Sequence, residues 1–140
     1  MKAQASGLCS LSPDNFDEVL ALWEKCGLWP HEHEDRTLIL GALERNRDFA
    51  VGWRVAGKLV ATTIGVWDGF RGNLWRVATL PEYQRQGIAS KLIAEVEQRL
   101  FAAGAKQINV MVYIPNAEAH ALYEKLGYEL TEVHVMRKRI

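Results

Sequence analysis

Residues Gln84-Arg85-Gln86-Gly87-Ile88-Ala89-Ser90-Lys91-Leu92 decide how this chain is read. Asn73 to Leu80, just before them, is a β-rich run, and Pro81-Glu82 breaks it. After them Ile88, Leu92, Val96 and Leu100 recur at every fourth position, the spacing of one helical face. Gly87 and Ala89 leave little side-chain bulk at the junction. The first turn of a helix has main-chain N–H groups without partners and a partial positive charge. Strand, small-residue turn and helix together therefore predict a main-chain cradle for a pyrophosphate. A lone match of this kind is more often a glycine that merely begins a helix.

A second motif lies downstream. Asn116-Ala117-Glu118-Ala119-His120-Ala121-Leu122-Tyr123-Glu124-Lys125-Leu126-Gly127-Tyr128 predicts a short helix. Asn116 caps its start and Gly127 supplies the left-handed residue at its end. Ala119, Leu122 and Leu126 form its buried face. There is no Gly-x-x-x-x-Gly-Lys-Ser/Thr and no three-glycine dinucleotide fingerprint, which excludes two competing phosphate motifs.

With both stretches in view, the chain resembles the GNAT superfamily of acyl-CoA-dependent N-acetyltransferases. Gln84-x-x-Gly87-x-Ala89 matches its Gln/Arg-x-x-Gly-x-Gly/Ala, and Asn116-x-x-Ala119-x-x-Leu122-Tyr123-x-x-x-Gly127-Tyr128 matches its later motif. Asp68-Gly69-Phe70-Arg71-Gly72 is similar to a stretch of the small stand-alone bacterial, YpeA-like type. The resemblance implies one α/β (α+β) domain over residues 1–140: a mixed central sheet, splayed in its middle, with helices on both faces.

The bulk properties agree. At 140 residues the chain is long enough to bury its own core, and 49% apolar with 24% charged residues is ordinary for a soluble protein. No run approaches a membrane span, and Met1 to Ser12 lacks a basic-then-apolar leader. Cys9 and Cys26 have no metal-ligand spacing, so a reduced cytoplasmic setting is expected. Zero net charge argues against nucleic-acid binding. Residues 1–70 carry 7 basic and 10 acidic side chains and residues 71–140 carry 10 and 7, so the half with the phosphate turn is the positive one.

The order of elements is expected to be β-α-α-β-β-β-α-β-α-β-β. Leu8–Leu11 is a short strand, Ser12-Pro13 opens a helix with Phe16, Val19, Leu20 and Trp23 on one face, and Gly27 ends it. A second helix covers Glu34–Arg45 with Leu38, Ala42 and Leu43 inward. Phe49–Val55 and Lys58–Trp67 form a hairpin across Ala56-Gly57. The central strand and its helix follow, then strand Gln107–Tyr113, the short helix, and terminal strands Glu129–Thr131 and Val133–Arg139.

Acetyl transfer needs a held co-substrate, a stabilised oxyanion, a proton acceptor for the amine and a donor for the sulfur. The turn supplies the first: Gln84, Arg85, Gln86, Gly87, Ile88, Ala89 and Ser90 bind acetyl-CoA. The resemblance implies that Val77, Ala78 and Thr79 pair through their main chain with the pantetheine arm, that an N–H near Thr79 meets the oxyanion, and that Asn116 bonds the pantetheine amides. Tyr123 is the expected acid toward the departing thiolate, its alternative being a half-buried packing tyrosine. Family members carry a strand glutamate near the position of Asn73, and this chain has none. Asp68, acting through water, is the expected substitute base, with a turn residue as its alternative; His134 is a weaker candidate. Arg76 either faces the acceptor, favouring a substrate carboxylate, or lies on the sheet face paired with a structural acid.

His31-Glu32-His33-Glu34-Asp35 suggests a metal only superficially, since adjacent residues on a helix do not share a face; acids at a helix start suit its dipole. No metal is expected. The expected partners are acetyl-CoA, a small-molecule or peptide amine and a second copy in a homodimer, with neither nucleic acid nor membrane. A ribosomal-protein amino-terminal acetyltransferase and a non-catalytic acyl-CoA-binding domain are the alternative functions.

Overall fold

The computed structural model describes residues 5–29 and 35–140. Five strands form one mixed sheet in the order β1 (Gly7–Ser10), β2 (Ala50–Val55), β3 (Lys58–Trp67), β4 (Gly72–Thr79) and β5 (Ile108–Val110). The first four are mutually antiparallel and β4–β5 is parallel. The β2–β3 hairpin turns at Ala56 and Gly57 with φ of 49° and 83°, the left-handed pair that a two-residue turn requires.

Helices cover both faces. Helix α1 (Phe16–Lys25) buries Val19, Leu20, Leu22 and Trp23, and the Ser12 hydroxyl caps the 3₁₀ turn that leads into it. Helix α2 (Arg36–Arg45) starts at Asp35, whose Oδ1 accepts the N–H groups of Thr37 and Leu38 at 2.7 and 3.2 Å. Its inward residues are Ile39 and Leu43. Leu38, expected inward, is exposed, because the helix rotates Ile39 rather than Leu38 onto the core. Helix α3 (Ile88–Ala103) lies on the other face and fully buries Leu92, Ile93, Val96 and Leu100. Each contributes roughly 1.5–3 kcal/mol. Close approach there requires Gly65 on β3, where a Cβ would stand 2.7 Å from Val96 Cγ1.

Helix α4 (Ala117–Lys125) follows β5. The expected terminal strands Glu129–Thr131 and Val133–Arg139 do not form. Residues 129–140 are exposed throughout and make no main-chain hydrogen bond to another described element. Alternation supplies strand propensity, but a strand exists only with a partner, and β5 is three residues long rather than spanning Gln107–Tyr113. Residues 31–34 of the His-Glu cluster lie outside the described residues. Among the described residues no group of His, Cys, Asp and Glu could hold a metal, and no helix is long and apolar enough to cross a membrane.

Candidate active site

The sheet opens beside β4. Its parallel ladder with β5 joins only Gly72, Asn73 and Leu74 to Ile108, Asn109 and Val110, while β4 continues to Thr79. On the other side Leu80 N donates to Val60 O at 2.9 Å, and Ala78 stands opposite Thr62. The alternation of an antiparallel ladder then turns the main-chain groups of Ala78 toward β3 and those of Val77 and Thr79 toward the gap. Thr79 O in the gap accepts the Gln84 Nε2 donor at 3.1 Å, tying the strand end to the turn.

A β-bulge sits at the opening. The β3–β4 register shifts between Thr62 and Ile64, and Arg76 has φ of 53°. A bulge frees a carbonyl, and here the Thr62 hydroxyl donates to Arg76 O at 2.9 Å while accepting Trp23 Nε1–H at 3.0 Å. This buried chain of bonds ties α1 to the strained strand. The Arg76 side chain packs against two rings and the segment after α1. Its guanidinium centre lies 5.0 Å from the Trp23 ring and 5.3 Å from Trp75, and its Nη1 donates to Leu28 O. It thereby pins the segment after α1 over the sheet.

The turn preceding α3 has the anticipated form. Gly87 precedes the helix with φ of 82° and no side-chain cap, and a Cβ built on it meets nothing within 4 Å. The first capping hydrogen bond at this end is from Lys91 N to Gly87 O at 3.1 Å, so the N–H groups of Ile88, Ala89 and Ser90 have no described acceptor. Open space, converging donors and a glycine in the left-handed region fit a phosphate. Gln86 Nε2 donates to Glu82 O at 3.3 Å, bracing the turn. Arg85 is also left-handed, at φ 63°, and reaches Glu118 at the start of α4 at 3.5 Å; both are exposed, so the pair contributes little to stability.

Asn116 caps α4 through Oδ1, which accepts Ala119 N–H at 3.0 Å. Tyr123, two turns on, is only 7% exposed. Its ring meets Tyr128 edge-on at 5.5 Å, and the Tyr128 hydroxyl donates to Glu97 Oε2 on α3 at 2.8 Å. Tyr128 N also donates to Tyr123 O at 2.9 Å. Helix α4 is thus braced against α3. Burial pushes the Tyr123 phenol up to about 12, so it stays protonated at neutral pH. Its hydroxyl has no described partner and is not among the buried unpaired polar atoms.

Asp68 lies away from the gap. It ends β3 at the β3–β4 turn, whereas the gap opens at the far end of β4. Its Oδ1 accepts the N–H groups of Phe70 and Arg71 at 2.7 and 2.6 Å. The Arg71 and then the Phe70 bond hold the carboxyl below the usual aspartate value. A carboxylate in that role closes a turn and is a poor proton acceptor. His134 lies in the exposed tail. The bulge, the Thr62 relay and the Gln84 amide contact escaped the sequence because each joins main-chain groups that any residue carries.

The comparisons with known proteins agree with this geometry. The acetyltransferase (GNAT) family model matches residues 16–128. An acetyltransferase of Sodalis glossinidius is 36% identical over 128 residues, covering 91% of this chain and 90% of that protein. Among solved structures, an N-acetyltransferase from Thermoplasma acidophilum in complex with coenzyme A superposes with a TM-score of 0.79 at 15% identity, covering 94% of both chains. The diaminobutyrate acetyltransferase of Paenibacillus lautus, in complex with L-2,4-diaminobutyric acid and coenzyme A, gives 0.75 at 15% identity, covering 88% of this chain and 75% of that one. The chain therefore belongs to the GNAT family, as an N-acetyltransferase of the stand-alone bacterial type.

Proposed function

We propose that the protein transfers an acetyl group from acetyl-CoA to a primary amine of a small molecule or peptide, by direct attack within a ternary complex. The observation that carries this reading is the gap beside β4: main-chain groups of Val77 and Thr79 face it, next to the open N–H cradle of residues 87–90. The turn residues Gln84 to Ser90 hold the pyrophosphate, most of them through their main chain. Val77 and Thr79 pair with the pantetheine arm as an added strand would. Asn116 Nδ2 is left to meet a pantetheine carbonyl, because capping uses only its Oδ1.

Attack of a neutral amine on the thioester carbonyl develops negative charge on oxygen, which the Thr79 N–H stabilises. Collapse breaks the carbon–sulfur bond, and Tyr123 gives its phenolic proton to the sulfur. The amine's proton passes to solvent, since Asp68 closes a turn elsewhere. The protein works without a metal. The two free cysteines, Cys9 and Cys26, suit a reduced cytoplasmic setting.

The test is incubation with acetyl-CoA and a panel of small amines, amino acids and peptides, read by thiol release and product mass. Acetylated product with one thiol released per transfer is expected. Tight acetyl-CoA binding with no transfer to any member would favour the non-catalytic acyl-CoA-binding reading, and transfer confined to the amino terminus of a ribosomal protein would replace the acceptor class.

A further inference from the structure

Helix α4 holds Tyr123, the proton donor of the proposed reaction, yet few polar contacts fix that helix to the rest of the fold. Tyr123 is its one buried residue, and Ala119, Leu122 and Leu126 are only partly buried against the core. Its start is capped from within by Asn116, and His120 meets only Tyr113 O, at 3.2 Å, in the segment that leads into it. Among the described residues two polar side-chain contacts join residues 116–128 to another element. One is the exposed Arg85–Glu118 pair at 3.5 Å, which solvent screens. The other is the half-buried bond from the Tyr128 hydroxyl to Glu97 Oε2 at 2.8 Å.

Glu97 reaches Tyr123 through Tyr128. Gly127 turns the chain at φ of 95°, and Tyr128 N–H then donates to Tyr123 O at 2.9 Å, the closing bond of a helix that ends on a left-handed glycine. The Tyr128 ring meets the Tyr123 ring edge-on, at 5.5 Å and 68°. A ring held both at its backbone and at its hydroxyl cannot swing, and the Tyr123 ring lies against it. The Glu97 carboxylate makes the outer bond charge-assisted. Burial, and then that carboxylate, pushes the Tyr128 phenol up, so the donor keeps its proton. Glu97 sits on α3, ten residues beyond Gly87 and ~15 Å along the same helix. One rigid rod therefore carries both the cradle proposed for the pyrophosphate and the anchor of the proton donor.

We infer that Glu97 is a positioning residue for acetyl transfer: by fixing the Tyr128 ring it holds the Tyr123 hydroxyl at the distance from the phosphate cradle at which the thioester sulfur arrives. This rests on the acetyl-transfer reading with Tyr123 as the acid. Misplacing a reacting group by about 1 Å can cost ~100-fold in rate, so loss of the anchor falls on turnover. Co-substrate binding, which that reading gives mainly to main-chain groups at the start of α3 and beside β4, changes little.

Steady-state thiol release by the full chain, with acetyl-CoA and the fastest acceptor of the amine panel, tests it. Glu97→Ala and Tyr128→Phe should each lower kcat about tenfold and leave the acetyl-CoA Kd within about twofold. Glu97→Gln, which keeps an acceptor for the Tyr128 hydroxyl, should stay within about threefold of wild type. In a Tyr123→Phe background Glu97→Ala should lower kcat by less than about twofold, because the hydroxyl it positions is gone. Glu95→Ala is the control: it breaks the 3.0 Å pair with Arg99 on the same helix and should lower Tm comparably while leaving kcat unchanged. An NMR readout needs no acceptor. Adding coenzyme A to protein with ring-labelled tyrosine should shift the Tyr123 signal, identified by its loss in Tyr123→Phe, and Glu97→Ala should at least halve that shift at saturation. Wild-type kcat or an undiminished shift in Glu97→Ala overturns the inference, as does a loss of the same size that persists in the Tyr123→Phe background. Wild-type turnover by Tyr123→Phe, or a Tyr123 signal indifferent to coenzyme A, instead overturns the acid role itself and takes this inference with it.

Discussion

Replacing Gly87 by alanine separates what this residue does for the fold from what it does for the ligand. With φ of 82° it occupies the left-handed region, where a Cβ costs roughly 1–2 kcal/mol. That lowers Tm by about 3–8 °C in a domain of this size. No steric term adds to it, since the new Cβ meets nothing within 4 Å. In the proposed cradle, the same open space is where a phosphate approaches the N–H groups of residues 88–90. A methyl group there holds the anion off one or two charge-assisted hydrogen bonds, each contributing roughly 1.5–3 kcal/mol, so Kd for acetyl-CoA should rise at least about tenfold. Gly104 provides the control. It ends the same helix with φ of 119°, and its nearest neighbour for a Cβ is Trp67 at 3.9 Å. Gly104→Ala should lower Tm comparably and leave Kd within about twofold. Calorimetric titration and thermal melting of the two variants measure both quantities. The reasoning fails if folded Gly87→Ala binds acetyl-CoA like wild type, or if Gly104→Ala weakens binding equally. Gly87→Glu, which adds a negative charge to the cradle, should abolish binding in a folded protein.

Four further outcomes are expected. Tyr123→Phe should lower kcat at least about tenfold and change acetyl-CoA affinity little, because the proposed role of the hydroxyl is to protonate the leaving sulfur; pre-steady-state kinetics distinguish this from slow product release. Asp68→Asn should lower Tm slightly and leave a pH–rate profile parallel to wild type. The Asp68 carboxyl is held below its ordinary value, so its contribution to stability is present above that value and fades as pH falls through the folded one, and acid melts of the variant should lose this dependence. Tyr123 behaves oppositely. Raised from 10.0 to about 12, it leaves stability intact below pH 10 and removes roughly 2–3 kcal/mol as pH rises from 10 to 12, a slope that Tyr123→Phe should reduce in alkaline melts. Thr62→Val should cost about 2–4 kcal/mol, read by denaturant unfolding, because it removes the hydroxyl that accepts from Trp23 Nε1 and donates to Arg76 O.

Much of the molecule was written locally. Helical spacing from Ile88 to Leu100, the caps at Ser12 and Asn116, the Ala56-Gly57 turn and the glycine before α3 involve residues within one or two turns of each other, so short-range sterics and hydrogen bonding decide them. The two motifs that mark the family are legible for the same reason: each is one continuous stretch. The tertiary structure alone decided that the β4–β5 ladder stops at Leu74, that the bulge at Arg76 is sealed by Thr62, and that Tyr128 braces Tyr123 through Glu97. Those contacts join residues far apart in the chain, many through main-chain atoms that carry no side-chain signature. Asp68 shows the difference most plainly. It is adjacent in sequence to the central strand, but adjacent to its beginning, while the gap opens at its end. The tail shows the converse, because strands were expected there, and a strand is a property of two segments rather than one.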